Sequence, residues 1–260
     1  MNKFILSVVV LLLMNNCGGS STVDEKKKPS PEPSTSSTPS FSPEPSPSAE
    51  PEIITHNGTR YGMVTSPYTE KIWLDRNLGA ARVCLSFDDV ACYGDYYQWG
   101  RGFDGHQDFM SSTTNEQASD INNAGSNFIL DRELYRNDWA NESDKDGDKR
   151  IELISSYDGS FVCPKGFRIP SADEFLAETS QAPISISNNI EAYESFLKLP
   201  SSGLRLGDSG KLRIDDRGFY KVRGGNYEYS VDYFYYSEDD IGKGSLSARV
   251  NGSTIRCIKF

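Results

Sequence analysis

Three carboxylates alternate in one polar stretch and could bind a hard cation. Asp144, Asp146 and Asp148 are each separated by one residue. Alternate carboxylates in a loop can place oxygen ligands around Ca²⁺ at about 2.3–2.6 Å. The common twelve-residue Ca²⁺ loop would have glycine in place of Lys149 and a bidentate glutamate in place of Ser155, so a site here would be weak. The sequence leaves two interpretations, a weak Ca²⁺ site formed by the three aspartates or a solvated acidic turn.

The cysteine and histidine residues show no pattern that is typical of catalysis. Cys84 and Cys92 are close in the chain, which favours a local disulfide that closes a small loop. His56 precedes an Asn-Gly turn and His106 lies in a long polar insertion, so the two histidines do not form a pair. No Ser-His-Asp or Cys-His grouping is evident in the sequence. We therefore expect a protein that is not an enzyme.

Residues 1–16 are typical of a signal peptide. A lysine precedes an apolar run that is too short to span a bilayer. The run ends in a segment that resembles a bacterial lipobox, in which Cys17 would carry the lipid; ordinary cleavage nearby is the alternative. Residues 17–52 are rich in Ser and Pro and predict a disordered, extended tether. These features predict a lipoprotein anchored to a membrane of the bacterial cell envelope, outside the cytoplasm.

Residues 53–260 have the composition of one acidic, folded domain. They carry 31 acidic and 23 basic side chains, a net charge of −8. This balance argues against nucleic-acid binding, which needs clustered Lys and Arg. Without Cys17, four of the five cysteines of the chain remain, and these can pair in an oxidising compartment.

A strand–turn–helix joint is the clearest structural signal in this domain. Ser171 and Glu174 form a capping box, which predicts a helix that continues to Ser180. Asn188 or Asn189 caps a second helix, which a proline ends. Short strands separated by turn residues account for most of the remaining domain.

The same joint resembles a known family. Residues 163–175 read Cys-Pro-Lys-Gly-Phe-Arg-Ile-Pro-Ser-Ala-Asp-Glu-Phe, which resembles the signature of the Fibrobacter succinogenes major paralogous domain. That family is similar to the C-type lectin-like fold and to the formylglycine-generating sulfatase-modifying enzymes. The resemblance implies an α+β, C-type lectin-like domain with two short helices packed on antiparallel sheets, loop-rich and disulfide-bonded. It also implies a Cys163–Cys257 disulfide. Further segments match in the expected order within residues 53–260, namely 73–80, 92–101, 199–205, 235–237 and 255–259.

We expect this domain to bind a glycan or a protein. A tyrosine-rich segment that includes Tyr233, Tyr235 and Tyr236 precedes a run of acidic residues, and aromatic rings beside carboxylates suit sugar rings and hydroxyl groups. The same tyrosines could instead belong to the core. Two other functions stay open: a structural envelope component without a small-molecule ligand, and an enzyme of the sulfatase-modifying kind, which would need reactive cysteines.

Overall fold

The computed structural model describes residues 52–131, 137–141, 144, 146–155, 161–180, 186–227 and 230–260. The chain divides into two units, Met1–Ser48 and Ala49–Phe260, and all described residues belong to the second. The predicted signal peptide, the predicted lipidation of Cys17 and the predicted tether up to residue 51 lie outside the described residues.

The described part of the chain is a mixed α+β domain in which short antiparallel strands dominate. It contains three α-helices, α1 (Asp148–Ile154), α2 (Ala172–Ser180) and α3 (Asn189–Glu194), and a 3-10 helix at Val90–Cys92. The strands are β1 (Ile54–His56), β2 (Thr59–Tyr61), β3 (Met63–Thr65), β4 (Ile72–Leu74), β5 (Tyr97–Gln98), β6 (Thr113–Thr114), β7 (Phe128–Ile129), β8 (Phe167–Arg168), β9 (Leu204–Arg205), β10 (Leu212–Arg213), β11 (Gly218–Tyr227), β12 (Ser230–Tyr236), β13 (Ile241–Ala248), β14 (Gly252–Ser253) and β15 (Ile258–Lys259).

These strands form three larger sheets and two small pairs. The larger sheets have the orders β3-β4-β15-β8, β10-β9-β14-β5 and β11-β12-β13, and every pairing in them is antiparallel. The β1–β2 hairpin turns at Asn57 and Gly58, which both have positive φ, as the Asn-Gly signal predicts. The β6–β7 pair is parallel.

Two disulfides join segments of the domain, and their partners are the pairs that the sequence analysis expects. Cys84–Cys92 closes a short loop, and Cys163–Cys257 joins residues 94 apart in sequence. The second bond lies beside the pairing of β8 with β15, so covalent and hydrogen-bonded connections reinforce the same junction. Closing a loop of this length restricts the unfolded chain by about 4–5 kcal/mol in the entropy model. Disulfides of this kind indicate an oxidising, non-cytoplasmic compartment.

The predicted helix signals at α2 and α3 are confirmed. The Glu174 N–H donates to Ser171 Oγ at 3.1 Å, and the Ser171 N–H donates to Glu174 Oε2 at 2.9 Å. Of the two candidate caps for α3, Asn188 is the one used, since its side chain accepts from the Glu191 N–H at 2.9 Å.

The expectation of two helices is wrong, because the structure has a third. Helix α1 begins at Asp148, directly after Gly147, whose φ of 78° ends the preceding loop. The Lys149 N–H in the first turn of α1 donates to Asp144 Oδ1 at 3.1 Å. The helix buries Arg150 and Ile154 against the domain, and this packing compensates for a segment whose charged composition does not predict a helix.

Helix α2 packs its Phe175 ring against the inner face of the β11-β12-β13 sheet. Phe175 is fully buried and stacks on Phe234 of β12 with ring centroids 4.5 Å apart. The Trp73 ring lies 5.1 Å from the same Phe175 ring. This contact fixes which face of β12 points inward, and therefore which tyrosines point outward.

The helices in the described ranges lack the length and apolar character that crossing a membrane requires.

Candidate binding site

The side chains of β12 alternate between the two faces of the sheet, so the three predicted ligand-binding tyrosines do not share one face. Successive side chains of a strand point to opposite faces. Phe234 and Tyr236 therefore share the inner face, while Tyr233 and Tyr235 share the outer one. Tyr236 is fully buried, and its hydroxyl donates to the Pro200 carbonyl at 2.5 Å. The expectation that Tyr236 binds a ligand is therefore wrong, because its ring is buried in the core and its hydroxyl is already hydrogen-bonded within the domain.

Tyr233 and Tyr235 form a partly exposed aromatic pair on the outer face. Their ring centroids are 5.7 Å apart at an interplanar angle of 49°, and both side chains are half-buried. Phe219 of β11 lies opposite Tyr235 in the register and places its ring 5.8 Å from Tyr233. We call these three residues, Phe219, Tyr233 and Tyr235, the tyrosine face.

Two glycines on the neighbouring strand lie under the rings of Tyr233 and Tyr235, and Gly244 leaves the space that the Tyr233 ring occupies. In the β12–β13 register, Gly244 lies opposite Tyr233 and Gly242 lies opposite Tyr235. A Cβ atom at Gly244 would clash with the Tyr233 ring, and one at Gly242 would come within 3.5 Å of Tyr235. The rings thus lie over a strand without side chains at these positions. Glycine weakens a strand interior, so β13 depends on its pairing with β12.

Polar groups of both signs border the tyrosine face. The Tyr235 hydroxyl donates to Asp240 Oδ2 at 2.6 Å, and this hydrogen bond is the largest cause that raises the pKa of Tyr235 to about 12. Asp240 is exposed and belongs to the acidic turn that follows β12. The guanidinium groups of Arg213 and Arg217 lie 5.9 and 5.5 Å from the centre of the Phe219 ring. A ligand on this face would therefore meet aromatic rings, a carboxylate acceptor and guanidinium donors.

The three aspartates of the predicted Ca²⁺ loop do not converge. Asp144 is 5% exposed, whereas Asp146 and Asp148 are exposed. Asp144 Oδ2 accepts from Arg150 Nε at 2.7 Å. Within the described ranges, no group of three or more His, Cys, Asp or Glu side chains is placed to hold a metal ion. Asp144 thus has an arginine as its partner. Of the two interpretations, a solvated acidic turn fits Asp146 and Asp148, which are exposed, but not Asp144, which is buried.

The arginine that binds Asp144 belongs to a buried ionic cluster that the sequence analysis missed. Asp138 accepts from Arg150 Nη1 at 2.6 Å and Nη2 at 2.8 Å, and from Arg249 Nη1 at 2.9 Å. Both arginines are fully buried. The Arg150 guanidinium also lies 5.2 Å from the Trp99 ring and 5.0 Å from the Trp139 ring. Asp138, Asp144 and Arg150 lie within 12 residues of one another, but Arg249 is 111 residues from Asp138, so no local pattern could reveal the whole cluster.

Both ring nitrogens of His106 are used by the fold. His106 is fully buried, its Nε2 accepts from the Gln98 N–H at 3.0 Å, and its Nδ1 lies 2.5 Å from Asp104 Oδ1. Burial lowers the pKa of His106 to about 4 against the opposing effect of Asp104. The ring is therefore neutral and serves as a hydrogen-bonded bridge. His56 in the hairpin turn places its Nε2 2.9 Å from the Val162 carbonyl oxygen.

Comparison of the chain with models of protein families, with curated proteins and with solved structures finds no match.

Proposed function

We propose that this protein is a non-catalytic lipoprotein of the bacterial cell envelope, anchored by lipid at Cys17. Its folded domain has a C-type lectin-like fold and binds carbohydrate through the tyrosine face. The observation that carries the binding proposal is the side-by-side, outward placement of Tyr233 and Tyr235 with their rings 5.7 Å apart. Tyrosine combines an apolar ring, which suits the C–H face of a sugar, with a hydroxyl that hydrogen-bonds at its edge.

The polar border of the tyrosine face supports a hydroxyl-rich ligand. Asp240 accepts a hydrogen bond from Tyr235 and is exposed, so its carboxylate can accept further bonds from sugar hydroxyls. Pockets that select small ligands usually combine apolar surface with a few placed polar groups. A pair of rings is also a small surface, whereas stable protein complexes bury about 800 Å² per partner. Carbohydrate is therefore the ligand that we favour over a protein.

The disulfides support a binding role over the enzymatic alternative. Cys84 is bonded to Cys92 and Cys163 to Cys257, so all four cysteines of residues 53–260 are engaged. A sulfatase-modifying type of reaction needs a reactive cysteine. The α+β architecture with mostly antiparallel sheets and two disulfides is compatible with the C-type lectin-like fold that the resemblance implies.

A glycan array followed by calorimetry tests the binding proposal. The detergent-solubilised protein should bind a defined set of saccharides. Tyr233→Ala and Tyr235→Ala should each weaken that binding by about three- to tenfold, since an aromatic contact contributes about 0.5–1.5 kcal/mol beyond its buried area. Tyr68→Ala is the matched control, because Tyr68 is also half-buried but packs on Phe196 elsewhere in the domain.

Two results would contradict the carbohydrate proposal. One is an array without binding. The other is an equal loss of binding in Tyr68→Ala and in the two tyrosine-face variants, which would indicate a general loss of folding.

A further inference from the structure

Lys221 is a buried lysine without a counterion among the residues that the structure describes. It lies on β11 and is 3% exposed. Its Nζ donates to the Asn251 carbonyl at 2.9 Å. In the described part of the chain Lys221 forms no ion pair. An ammonium group has three N–H donors, so two of them have no acceptor here.

Trp99 contributes a second buried donor without an acceptor. Trp99 is 1% exposed, and its indole N–H has no hydrogen-bond partner among the described residues. Its ring lies 5.2 Å from the guanidinium of Arg150 and 5.2 Å from that of Arg249. A buried donor left unsatisfied costs about 1–3 kcal/mol, so both groups favour an acceptor beside them.

Lys221 and Trp99 line the same small cavity. The cavity holds about 10 Å³ of space for the centre of a water-sized occupant, and Ile154, Ile169 and Ile255 form part of its wall. This is about the space that one water molecule requires. The occupant therefore has to be small, and it has to accept hydrogen bonds.

The other polar side chains of the cavity wall are already satisfied. Arg101 donates to both Asp104 Oδ2 and Gln98 Oε1. The Gln98 amide donates to the carbonyls of Ile129 and Val250. Among the side chains of this wall, the unused hydrogen-bonding groups are thus the donors of Lys221 and Trp99.

The described carboxylates around the cavity pair with arginines and not with Lys221. Asp104 pairs with Arg101, which lines the cavity, while Asp138 pairs with both Arg150 and Arg249 and Asp144 also pairs with Arg150. Among the described residues, each of these three arginines thus has a carboxylate partner. Lys221 remains without a negative partner, and a neutral water molecule would not supply one.

We propose that this cavity binds one small monovalent anion of the halide class, held by the Lys221 ammonium and the Trp99 indole N–H. Lys221 lies opposite Tyr233 in the β11–β12 register but is buried, whereas Tyr233 is partly exposed. The anion proposal does not depend on carbohydrate binding. An anion here pairs a buried cation, which is the condition under which proteins tolerate buried charge.

The proposal has a pH dependence with a definite sign. Burial lowers the pKa of Lys221 to about 7. Arg101, which pairs with Asp104, also lines the cavity, and the isoleucines of its wall are neutral. Arg150 and Arg249 lie 5.2 Å from the Trp99 ring, and both pair with Asp138. Below pH 7 the lysine is protonated and binds the anion. At pH 9 the amine is neutral, so the anion loses its partner and its effect.

Thermal melts of the full chain at constant ionic strength test the site. At pH 6, replacing sodium gluconate with 0.2 M sodium chloride or bromide should raise the Tm by roughly 3–7 °C if the Kd is about 10 mM, because a ligand specific to the folded state stabilises it. At pH 9 the same exchange should leave the Tm unchanged. Lys221→Met should abolish the chloride effect at pH 6, and it should fold, because it removes an unpaired buried charge.

An exposed lysine provides the control. Lys243→Met should keep the full chloride effect, since its side chain is 56% exposed and pairs with an exposed aspartate. Equal melting temperatures in gluconate and chloride at pH 6 would overturn the proposal and assign a water molecule to the cavity. A chloride effect that persists in Lys221→Met would overturn it as well. Bromide-soaked crystals should show one anomalous peak between Lys221 and Trp99, and a cavity without that peak would refute the site directly.

Discussion

Replacing Asp138 by asparagine tests whether the buried ionic cluster holds the domain together. Asp138 is 5% exposed and accepts hydrogen bonds at 2.6–2.9 Å from Arg150 and Arg249, which are both fully buried. Asparagine keeps the volume of the side chain but removes its negative charge. Both buried guanidinium groups would then lose the carboxylate of Asp138, while Arg150 would keep its hydrogen bond to Asp144 Oδ2.

The expected loss is a large part of the stability of the domain. Removing one partner from a buried ion pair costs about 3–5 kcal/mol, because the remaining charge stays buried without compensation. The total free energy of unfolding of a domain is about 5–15 kcal/mol. For a domain of about 200 residues, each kcal/mol lowers the Tm by about 2–4 °C. Asp138→Asn should therefore lower the Tm by roughly 10 °C.

Urea unfolding monitored by tryptophan fluorescence measures this loss, since Trp99 and Trp139 both contact Arg150. Asp173→Asn is the matched control. Asp173 pairs with Lys243 at 2.9 Å, but its side chain is 77% exposed, and exposed pairs contribute about 0–1 kcal/mol. If both variants lose less than about 1 kcal/mol, the cluster is not a major source of stability and the reasoning from burial fails.

Two further predictions concern the acid stability of the domain and the membrane anchor. Burial raises the pKa of Glu174, but hydrogen bonds from Arg168 and from the Ser171 N–H outweigh burial, so the folded-state pKa falls to about 2. Glu174 should therefore contribute stability above about pH 5 that is lost as the pH falls toward 2. Glu174→Gln should flatten the fall in Tm over this interval. If the variant loses as much Tm between about pH 5 and pH 2 as the wild type does, the low pKa of Glu174 is contradicted. Cys17→Ala should move the protein from the membrane fraction to the soluble fraction of fractionated cells, and a variant that stays with the membrane would rule out lipidation at Cys17.

Signals that depend on neighbours in sequence were sufficient to predict several local features. The Ser171–Glu174 capping box, the Asn57–Gly58 turn and the cap of α3 all form as the residue types predict. Each of these features is closed by hydrogen bonds or φ preferences within about four residues. Cys84 and Cys92 also pair locally, because a short loop between them costs little entropy to close.

Tertiary packing decided the candidate site. The two-residue period of a strand places Tyr233 and Tyr235 on one face from sequence alone. Which face is exposed depends on the stacking of Phe175 from α2 on Phe234, and that contact crosses almost 60 residues of sequence. For this reason the sequence grouped Tyr236 with the ligand-binding tyrosines, whereas the structure buries it.

Packing also decided what the charged residues do. From sequence, Asp144 is one of three carboxylates in a polar loop; in the fold it is buried against Arg150. Asp138 and Arg249 are 111 residues apart, and their ion pair exists only after the sheets have assembled. The charge of a residue follows from its type, but its partner and its degree of burial follow from non-local contacts. Those contacts determine whether a carboxylate binds a cation from solvent or an arginine from the same chain.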